Sequence, residues 1–251
     1  MPELEGKKVL ITGAGALGGL GADTAQLFAQ EGAEVLVTGR HTERGQQVVD
    51  TIVAAGGTAR FLLADLRNLD DVAQLADEAG EVDVLVNNAA GYNVESTLKL
   101  TADDYSLMFE TIVRAPFFLV QKLAPGMLAR RSGSIVNVSS TAASVALPGG
   151  VSLYGSAKAA LDSLTRYWAA EFAESNVRVN AVAVGPTSTD NITRTFSSLG
   201  PGVLEAMAAS IPLGRWASPR EIAQVLLFLA SERSSFATGG VFPADGGKVA
   251  V

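Results

Sequence analysis

The sequence contains no cysteine and only one histidine, His41, among its 251 residues. The lack of cysteine excludes disulfide bonds, thiolate nucleophiles and zinc–thiolate sites. A histidine-clustered metal site is also excluded, so no metal is expected. No uninterrupted apolar run reaches the roughly 18 residues of a membrane-spanning helix. Met1–Lys8 mixes acidic and basic side chains, unlike a signal peptide. These absences predict a cytoplasmic protein with no membrane partner.

Positive charge is scarce as well, because 19 Lys and Arg residues face 26 Asp and Glu residues, for a formal net charge of -7. This balance predicts no nucleic-acid partner. Hydrophobic residues make up 48% of the chain and charged residues 18%, which is typical of a folded protein with a large core. The length suits a single α/β domain spanning residues 1–251.

Short apolar runs alternate with amphipathic stretches along the chain. Lys8–Thr12 stops at a glycine-rich turn, a helical pattern follows at Ala22–Gln30, and a second apolar run lies at Glu34–Thr38. Further strands are predicted at Arg60–Ala64, Val82–Val86, Ser134–Val138, Arg178–Val184 and Gly240–Pro243, with helices that include Asp70–Ala79 and Tyr154–Ala173. This alternation predicts a doubly wound parallel sheet, the Rossmann fold, with helices on both faces.

The first turn has the spacing of a phosphate-binding loop. Gly13, Gly15 and Gly18 form G-x-G-x-x-G directly after a predicted strand and before a helix. Without Cβ atoms, backbone N–H groups and a helix N-terminus can approach a pyrophosphate. The alternative is a flexible connector. The pattern favours a dinucleotide site.

The end of the second strand bears on the choice of dinucleotide. Thr38-Gly39-Arg40 offers no acidic side chain for the adenosine ribose hydroxyls, whereas the guanidinium of Arg40 suits a 2′-phosphate. The sequence therefore favours NADP(H) over NAD(H) without excluding NAD(H). The alternative is that Arg40 is merely an exposed loop residue.

Tyr154 and Lys158 stand four residues apart at the start of a predicted helix, so both side chains leave it from one face. An ammonium beside a phenol favours the phenolate and is expected to lower the tyrosine pKa. Tyr154 is thus a candidate general acid for a carbonyl oxygen, or general base for an alcohol. Such a spacing also occurs by chance.

A wider set of segments resembles the short-chain dehydrogenase/reductase family over nearly the whole chain. The segments that share the family's order and spacing are Thr12-Gly13, Gly19-Leu20-Gly21, Ala64-Asp65-Leu66, Asn87-Asn88-Ala89, Ile135–Ser140, Tyr154–Lys158, Val177–Val182, Pro212–Trp216 and Asp245-Gly246-Gly247. The resemblance implies an enzyme that moves a hydride between a nicotinamide dinucleotide and a carbonyl or alcohol.

The resemblance also implies roles for single residues. Ser140 would polarise the substrate carbonyl, Tyr154 would exchange its proton, and Lys158 would bind the nicotinamide ribose and hold the phenolate. Ser139 or Thr141 are alternatives to Ser140, and Asp65 would accept from the adenine amino group or simply begin a helix. The cofactor contacts implied besides Tyr154 and Lys158 are Gly13, Gly19, Leu20, Gly21, Asp65, Leu66, Asn88, Ala89, Ala90, Thr187 and Thr189.

Three departures from the family pattern stand out. The loop holds two more residues between Gly13 and Gly19 than the family usually has, so it must bulge. Ser140 precedes Tyr154 by one residue more than usual, which a bulge at Pro148-Gly149-Gly150 would absorb. Ile112 stands where the family usually carries an asparagine that helps to hold a proton-relay water. We expect activity to survive in reduced form, either with the backbone carbonyl alone holding that water or with a relay that runs differently.

The stretch Asp190–Arg215 lies where the family keeps its variable substrate loop. Its apolar residues predict a mobile lid over a largely apolar pocket, or alternatively a surface helical hairpin; they are Ile192, Phe196, Leu199, Val203, Leu204 and Met207. Tyr92, Leu147, Val151 and Leu153 are further candidates to line the pocket, whereas Trp216 is expected to pack. The loop lacks a basic cluster, which disfavours a highly anionic substrate.

The predicted function is hydride transfer between NADP(H) and a ketone or secondary alcohol of a small, largely apolar substrate. One alternative is a 3-oxoacyl-thioester reductase, and another is a secondary-alcohol or steroid dehydrogenase. From a different class, a non-catalytic dinucleotide-binding sensor or scaffold is disfavoured by the presence of Ser140, Tyr154 and Lys158. The resemblance further implies a homo-oligomer, a tetramer or dimer, for which the Tyr154–Ala173 helix, the Leu226–Ala230 run and the Val249-Ala250-Val251 tail are candidate contacts.

Overall fold

Seven parallel strands form one sheet in the computed structural model, which describes residues 2–146, 150–197 and 200–250. The strands are β1 (Lys8–Ile11), β2 (Glu34–Gly39), β3 (Thr58–Leu63), β4 (Val84–Asn87), β5 (Gly133–Ser140), β6 (Val177–Val184) and β7 (Val241–Ala244). Their order in space is β3-β2-β1-β4-β5-β6-β7, and every neighbouring pair is parallel. The predicted doubly wound sheet is confirmed.

Helices connect the strands. They are α1 (Leu20–Gln30), α2 (Thr42–Ala54), α3 (Leu69–Ala79), α4 (Ala102–Phe109), α5 (Ala115–Arg130), α6 (Ser152–Phe172), α7 (Asp190–Ser197), α8 (Val203–Ala209) and α9 (Pro219–Ala230). Short 3₁₀ turns lie at Thr141–Ala143, Ala173–Ser175 and Glu232–Ser234. Because the strand order reverses between β1 and β4, the helices that follow these two strands diverge and leave a crevice at the carboxyl edge of the sheet.

The sheet separates two apolar cores, because successive strand side chains point to opposite faces. Leu10, Leu36 and Leu85 pack on one face with α3, α5 and α6. Their neighbours Val9 and Val35 pack on the other face with α1, α2 and α9. Strands that are buried on both faces explain why the apolar runs in the sequence are continuous rather than alternating.

Two apolar segments that a subunit or a membrane could contact contribute side chains to these cores. The 226–230 run is a candidate subunit contact from the sequence, but Leu226, Leu227 and Leu229 are buried in the core beneath α9, so these side chains are not exposed to another subunit. The helical stretch Ala102–Arg130 is long and apolar enough to cross a membrane by length and composition only. Its residues Met108 and Ile112 are buried in the core, whereas Tyr105 and Phe117 are exposed.

A π-helical turn, Glu110–Arg114, joins α4 to α5. The Ala115 N–H donates to the Glu110 carbonyl, five residues back, so the widened turn interrupts the ordinary ladder of helical hydrogen bonds. Ile112 lies in this turn with 0% exposure, and its side chain belongs to the core under the sheet.

Buried amides attach helix α6 to the middle of the sheet. The Asn87 amide donates to the Asn137 side-chain oxygen at 2.8 Å, and the Asn137 amide donates to the Thr165 hydroxyl at 2.8 Å. Thr165 in turn donates to the Leu161 carbonyl at 2.9 Å. Because such groups are costly to bury unpaired, this chain fixes α6 relative to β4 and β5.

We expect Thr165→Val to lower the free energy of unfolding by about 1–3 kcal/mol, because it leaves the buried Asn137 amide without an acceptor. Thr51→Val is the matched control. Thr51 also donates to a carbonyl four residues back, that of Gln47, but it is exposed. Its replacement should change the free energy by no more than about 0.5 kcal/mol. Urea unfolding of both variants measures the difference, and equal losses would show that the amide chain does not hold α6.

Candidate active site

A cleft of about 950 Å³ opens at the carboxyl ends of the central strands. It lies at the switch point of the strand order, where open parallel sheets bind their ligands. The site residues that the sequence predicts all line it: Gly13, Gly19, Leu20, Gly21, Arg40, Asp65, Leu66, Asn88, Ala89, Ala90, Ser140, Tyr154, Lys158, Thr187 and Thr189. The fold thus brings together residues that are far apart in the sequence.

The glycine loop is packed so closely that side chains have no room. A Cβ on Gly13 would lie 2.7 Å from the Ala89 Cα, and one on Gly21 would lie 2.6 Å from the Asn88 amide nitrogen. That amide donates to the Thr12 and Gly13 carbonyls at 2.8 and 3.2 Å. The Thr12 hydroxyl accepts from the backbone N–H groups of Asn88 and Ala89. Asn88 therefore braces the loop and does not merely end a strand.

The N-terminus of α1 opens into the cleft beside this loop. Its N-cap residue, Gly19, has extended backbone angles and offers no side chain to the first N–H groups of the helix. Such unpaired N–H groups, at the positive end of the helix dipole, attract an anion. Together with the space left by Gly13 and Gly21, they fit the diphosphate of a dinucleotide.

The adenosine end of the cleft is more basic than the sequence predicts. Arg40 is joined by Arg44, in the first turn of α2, and by Arg67. Arg67 donates to both Asp65 carboxylate oxygens, and these hydrogen bonds hold the Asp65 pKa below its usual range. Asp65 is therefore paired within the chain rather than free. Arg44 could have been found by noting a second arginine one helical turn after Arg40.

Tyr154 and Lys158 project from the first turns of α6 toward the inner end of the cleft. The Lys158 ammonium donates to the Val138 carbonyl at 2.5 Å and lies 5.6 Å from the centre of the Tyr154 ring. Lys158 is only 1% exposed. The β5 backbone thus fixes the position of the Lys158 ammonium. The sequence predicts only that Lys158 and Tyr154 share one face of a helix.

Burial dominates the acidity of both groups. It raises the pKa of Tyr154 to about 12, although a hydrogen bond with Ser140 opposes the shift. It lowers the pKa of Lys158 to about 8, although attraction to Asp162 opposes that shift. The direction of the Tyr154 shift is opposite to the lowered pKa that we expected from the sequence, because desolvation outweighs the hydrogen bond with Ser140.

Ser140 and Tyr92 complete the inner end of the cleft. The Ser140 hydroxyl accepts from the Ala142 N–H at 3.2 Å, which orients it at the end of β5. The Tyr92 ring meets the Tyr154 ring edge to face, with the centroids 5.1 Å apart. A substrate oxygen placed between Ser140 and Tyr154 would meet two hydroxyl groups in a setting walled by aromatic rings.

Two short helices, α7 and α8, cover the outer part of the cleft and are called the lid below. The substrate loop that the sequence predicts is therefore a helical pair. Ile192, Phe196 and Met207 line the cleft from it. Trp216 does pack, as expected, because its indole N–H donates to the Leu204 carbonyl and its ring lies 5.9 Å from that of Phe196.

The other predictions for this region are met in part. Tyr92 and Val151 line the cleft. Leu153 does not line it, because its side chain packs against the core beneath α6. Leu147, Leu199 and the 148–149 part of the expected bulge lie outside the described residues.

Comparisons with known proteins agree with this fold. A family model described as enoyl-(acyl carrier protein) reductase matches residues 13–248. A 3-oxoacyl-[acyl-carrier-protein] reductase of Thermotoga maritima is 36% identical over 98% of this chain and 99% of its own length. A solved short-chain dehydrogenase/reductase family protein is 48% identical, with a TM-score of 0.91 over 99% of this chain and 100% of its own.

A second solved structure shows the cofactor bound by such a protein. L-Sorbose reductase from Gluconobacter frateurii, complexed with NADPH and L-sorbose, is 29% identical and superposes with a TM-score of 0.94 over 100% of both chains. The chain described here belongs to the short-chain dehydrogenase/reductase family. It is an NAD(P)-dependent oxidoreductase.

The Lys158 pKa predicts how stability depends on pH. Between the folded value of about 8 and the ordinary value of 10.5, the unfolded chain binds more protons than the folded one. Stability from this group therefore rises with pH, by up to about 1.4 kcal/mol per unit. We expect the free energy of unfolding of the cofactor-free protein, relative to that of Lys158→Met, to rise between pH 8 and 9.5.

The control for this prediction is Lys99→Met. Lys99 is exposed, with a loose ion pair to Glu95 at 3.8 Å, so the difference between wild type and this variant should stay flat over the same range. Urea unfolding at several pH values measures both differences. A flat difference for Lys158→Met as well would contradict a depressed lysine pKa.

Proposed function

We propose that this chain is an NADP(H)-dependent oxidoreductase that interconverts a ketone and a secondary alcohol of a small, largely apolar substrate, with Tyr154 as general acid and base. The proposal rests above all on the convergence of Ser140, Tyr154 and Lys158 at the inner end of one cleft whose other end suits a dinucleotide. A non-catalytic sensor would have no need of these three groups around one point.

The residues divide the work as follows. When bound, the nicotinamide ring supplies or accepts the hydride. Ser140 donates to the substrate oxygen and orients it, and Tyr154 gives that oxygen its proton. A phenol with a pKa of about 12 is fully protonated at neutral pH and is ready to act as an acid in the direction of reduction.

Lys158 supports the phenol from the side away from the substrate. Its ammonium is anchored on the Val138 carbonyl and would hold the nicotinamide ribose, while its charge would favour the phenolate that remains after proton transfer. In place of the family's asparagine, a backbone carbonyl of the Glu110–Arg114 π turn holds the relay water. The cleft reaches this turn at Thr111, and the widened turn departs from the ordinary ladder of helical hydrogen bonds.

Two arginines favour NADP(H) over NAD(H). Arg40 directly follows β2 and Arg44 lies in the first turn of α2. Both line the adenosine end of the cleft without a side-chain ion pair among the described residues. Guanidinium groups match the geometry of a 2′-phosphate, and no carboxylate occupies the end of β2. The NADPH bound to L-sorbose reductase agrees with this choice.

The walls of the substrate end are mainly apolar, which favours a substrate with a hydrocarbon body. The apolar residues of these walls include Val94, Leu107 and Val151, together with Ile192, Phe196 and Met207 of the lid. The same apolar walls favour a second candidate, reduction of a 3-oxoacyl thioester, which is the activity named for the Thermotoga maritima relative. An acyl chain could lie along the walls with its keto group beside Tyr154.

We expect Tyr154→Phe to lower kcat by about a thousandfold or more, because it removes the hydroxyl that exchanges the proton. NADPH binding should persist, since the ring and the cleft walls stay. NADPH oxidation with a panel of ketones, sugars and a 3-oxoacyl thioester measures turnover and distinguishes the two candidates.

Tyr167→Phe removes a hydroxyl from the exposed face of the same helix, and its turnover should equal that of the wild type. Retention of full activity by Tyr154→Phe, or binding of NADPH without turnover on any panel member by the wild type, would contradict the proposal.

An apolar groove on the outer side of α4, α5 and α6 supports a homo-oligomer. Its walls include Tyr105, Phe109, Phe117, Leu164 and Tyr167. Three of these side chains are strongly exposed for large rings, with Tyr167 at 72%, Tyr105 at 53% and Phe117 at 41%. Such a patch is typical of an interface. We propose that a second copy covers it, in a dimer or tetramer.

Phe117→Glu should dissociate this assembly, because it places a carboxylate in the centre of the apolar contact. Leu98→Glu is the control, since Leu98 is 95% exposed and lies outside the groove. Sedimentation velocity is expected to give a smaller species for Phe117→Glu only. A wild-type monomer, or an unchanged oligomer in the variant, would overturn the interface.

We also propose that the enzyme acts in the cytoplasm on a small molecule, without a nucleic-acid or membrane partner. The lack of cysteine suits a reducing compartment, and the acidic net charge of -7 disfavours polyanions. Part of the apolar stretch Ala102–Arg130 is buried in the core, and its exposed rings Tyr105 and Phe117 lie in the groove that a second copy is proposed to cover.

A further inference from the structure

The elongated glycine loop contacts the lid on the cofactor side of the cleft. The Asp190 N–H, at the start of α7, donates to the Gly18 carbonyl at 3.0 Å. Gly18 has a φ of 72°, and a Cβ there would lie 2.1 Å from the Asp190 carboxylate. The glycine loop thus reaches the lid, so loop and lid enclose the same space.

Arg194 stands one helical turn after Asp190. Residues four apart leave a helix from the same face, so Arg194 is on the face of α7 that meets the glycine loop. It lines the cleft in company with Leu17 and Gly18. The side chain is exposed and, within the ranges that the structure describes, makes no hydrogen bond or ion pair.

Each of the other cationic side chains that line the cleft has a hydrogen-bond partner or a proposed role at the adenosine end. Arg67 is paired with Asp65, Lys158 donates to Val138, and Lys248 donates to the carbonyl and hydroxyl of Ser210. Arg40 and Arg44 lie at the adenosine end. Arg194 is the remaining cation of the lining, and it comes from the lid.

The diphosphate position itself is short of positive charge. The α1 N-terminus offers N–H groups but no cationic side chain. Burial raises the pKa of Asp23, in the first turn of α1; Arg220 opposes the rise and the Asp190 carboxylate adds to it. Arg220 donates to the Gln30 side chain and is not among the residues that line the cleft. A diphosphate placed there therefore needs a cation from elsewhere.

We propose that Arg194 is a ligand of the cofactor's diphosphate, reaching it from the lid while the glycine loop and the α1 N-terminus hold it from below. The inference rests on the proposed function, since it presupposes a bound dinucleotide. Guanidinium N–H groups donate to phosphate oxygens in strong charge-assisted hydrogen bonds. Cofactor binding would then hold α7 over the substrate end of the cleft.

The test compares the dissociation constants of NADPH and NADH by calorimetry. Both cofactors carry the diphosphate and only NADPH carries the 2′-phosphate. Arg194→Ala should weaken both by about tenfold and leave their ratio unchanged, whereas Arg194→Lys should keep part of the affinity. Arg40→Ala should weaken NADPH alone. The loss in Arg194→Ala should shrink as ionic strength rises.

Arg215→Ala is the matched control, because Arg215 also follows the lid but is held by Glu221 in an ion pair at 2.7 Å. It should bind both cofactors like the wild type. Thermal unfolding without cofactor should be unchanged in Arg194→Ala, because the side chain is exposed. Unchanged affinities, or a loss for NADPH only, would overturn the role of Arg194. A wild-type protein that binds neither cofactor would overturn the proposed function itself.

Discussion

A buried ammonium held on a strand carbonyl organises the reactive end of this protein. Lys158 donates to the Val138 carbonyl while it lies beside the Tyr154 ring, so helix α6 and strand β5 are joined at the point where chemistry is proposed to occur. The bond satisfies a charge that would otherwise be costly to bury. It also holds the charge near a phenol that burial keeps protonated.

The rest of the fold keeps that pair in register with the cofactor end. The Asn87–Asn137–Thr165 chain fixes α6 across the sheet, and Asn88, the next residue after β4, braces the glycine loop. Asn87 and Asn88, neighbours at the end of β4, thus support the catalytic end and the cofactor end of the cleft, respectively. This coupling follows from the switch point between β1 and β4, which brings the carboxyl ends of both strands to the same crevice.

The sequence alone was sufficient for the strands, the order of the motifs and the residues gathered in the cleft. Apolar runs and glycine turns report local structure directly, and spacing on a helix predicts a shared face. It could not predict the high Tyr154 pKa, which depends on desolvation, or the partner of Asp65, which depends on how Arg67 folds back.

Long-range packing explains the remaining errors. Leu153 and the 226–230 run are apolar, but composition does not distinguish a pocket wall or a subunit contact from a core position. The contact between Gly18 and Asp190 joins segments that are distant in the sequence, so the position of Arg194 beside the glycine loop had no signal in the sequence pattern.

The most direct measurement is a titration of Tyr154, isotopically labelled and followed by NMR, with and without the oxidised cofactor. In the free protein we expect a pKa of about 12. Binding of the cationic nicotinamide beside Lys158 should lower it by about 1 to 3 units. In Lys158→Met the cofactor should lower the pKa by less, because only the charge of the ring then stabilises the phenolate. A Tyr154 pKa that does not respond to the cofactor, or that falls equally without the lysine, would contradict the claim that Lys158 stabilises the phenolate.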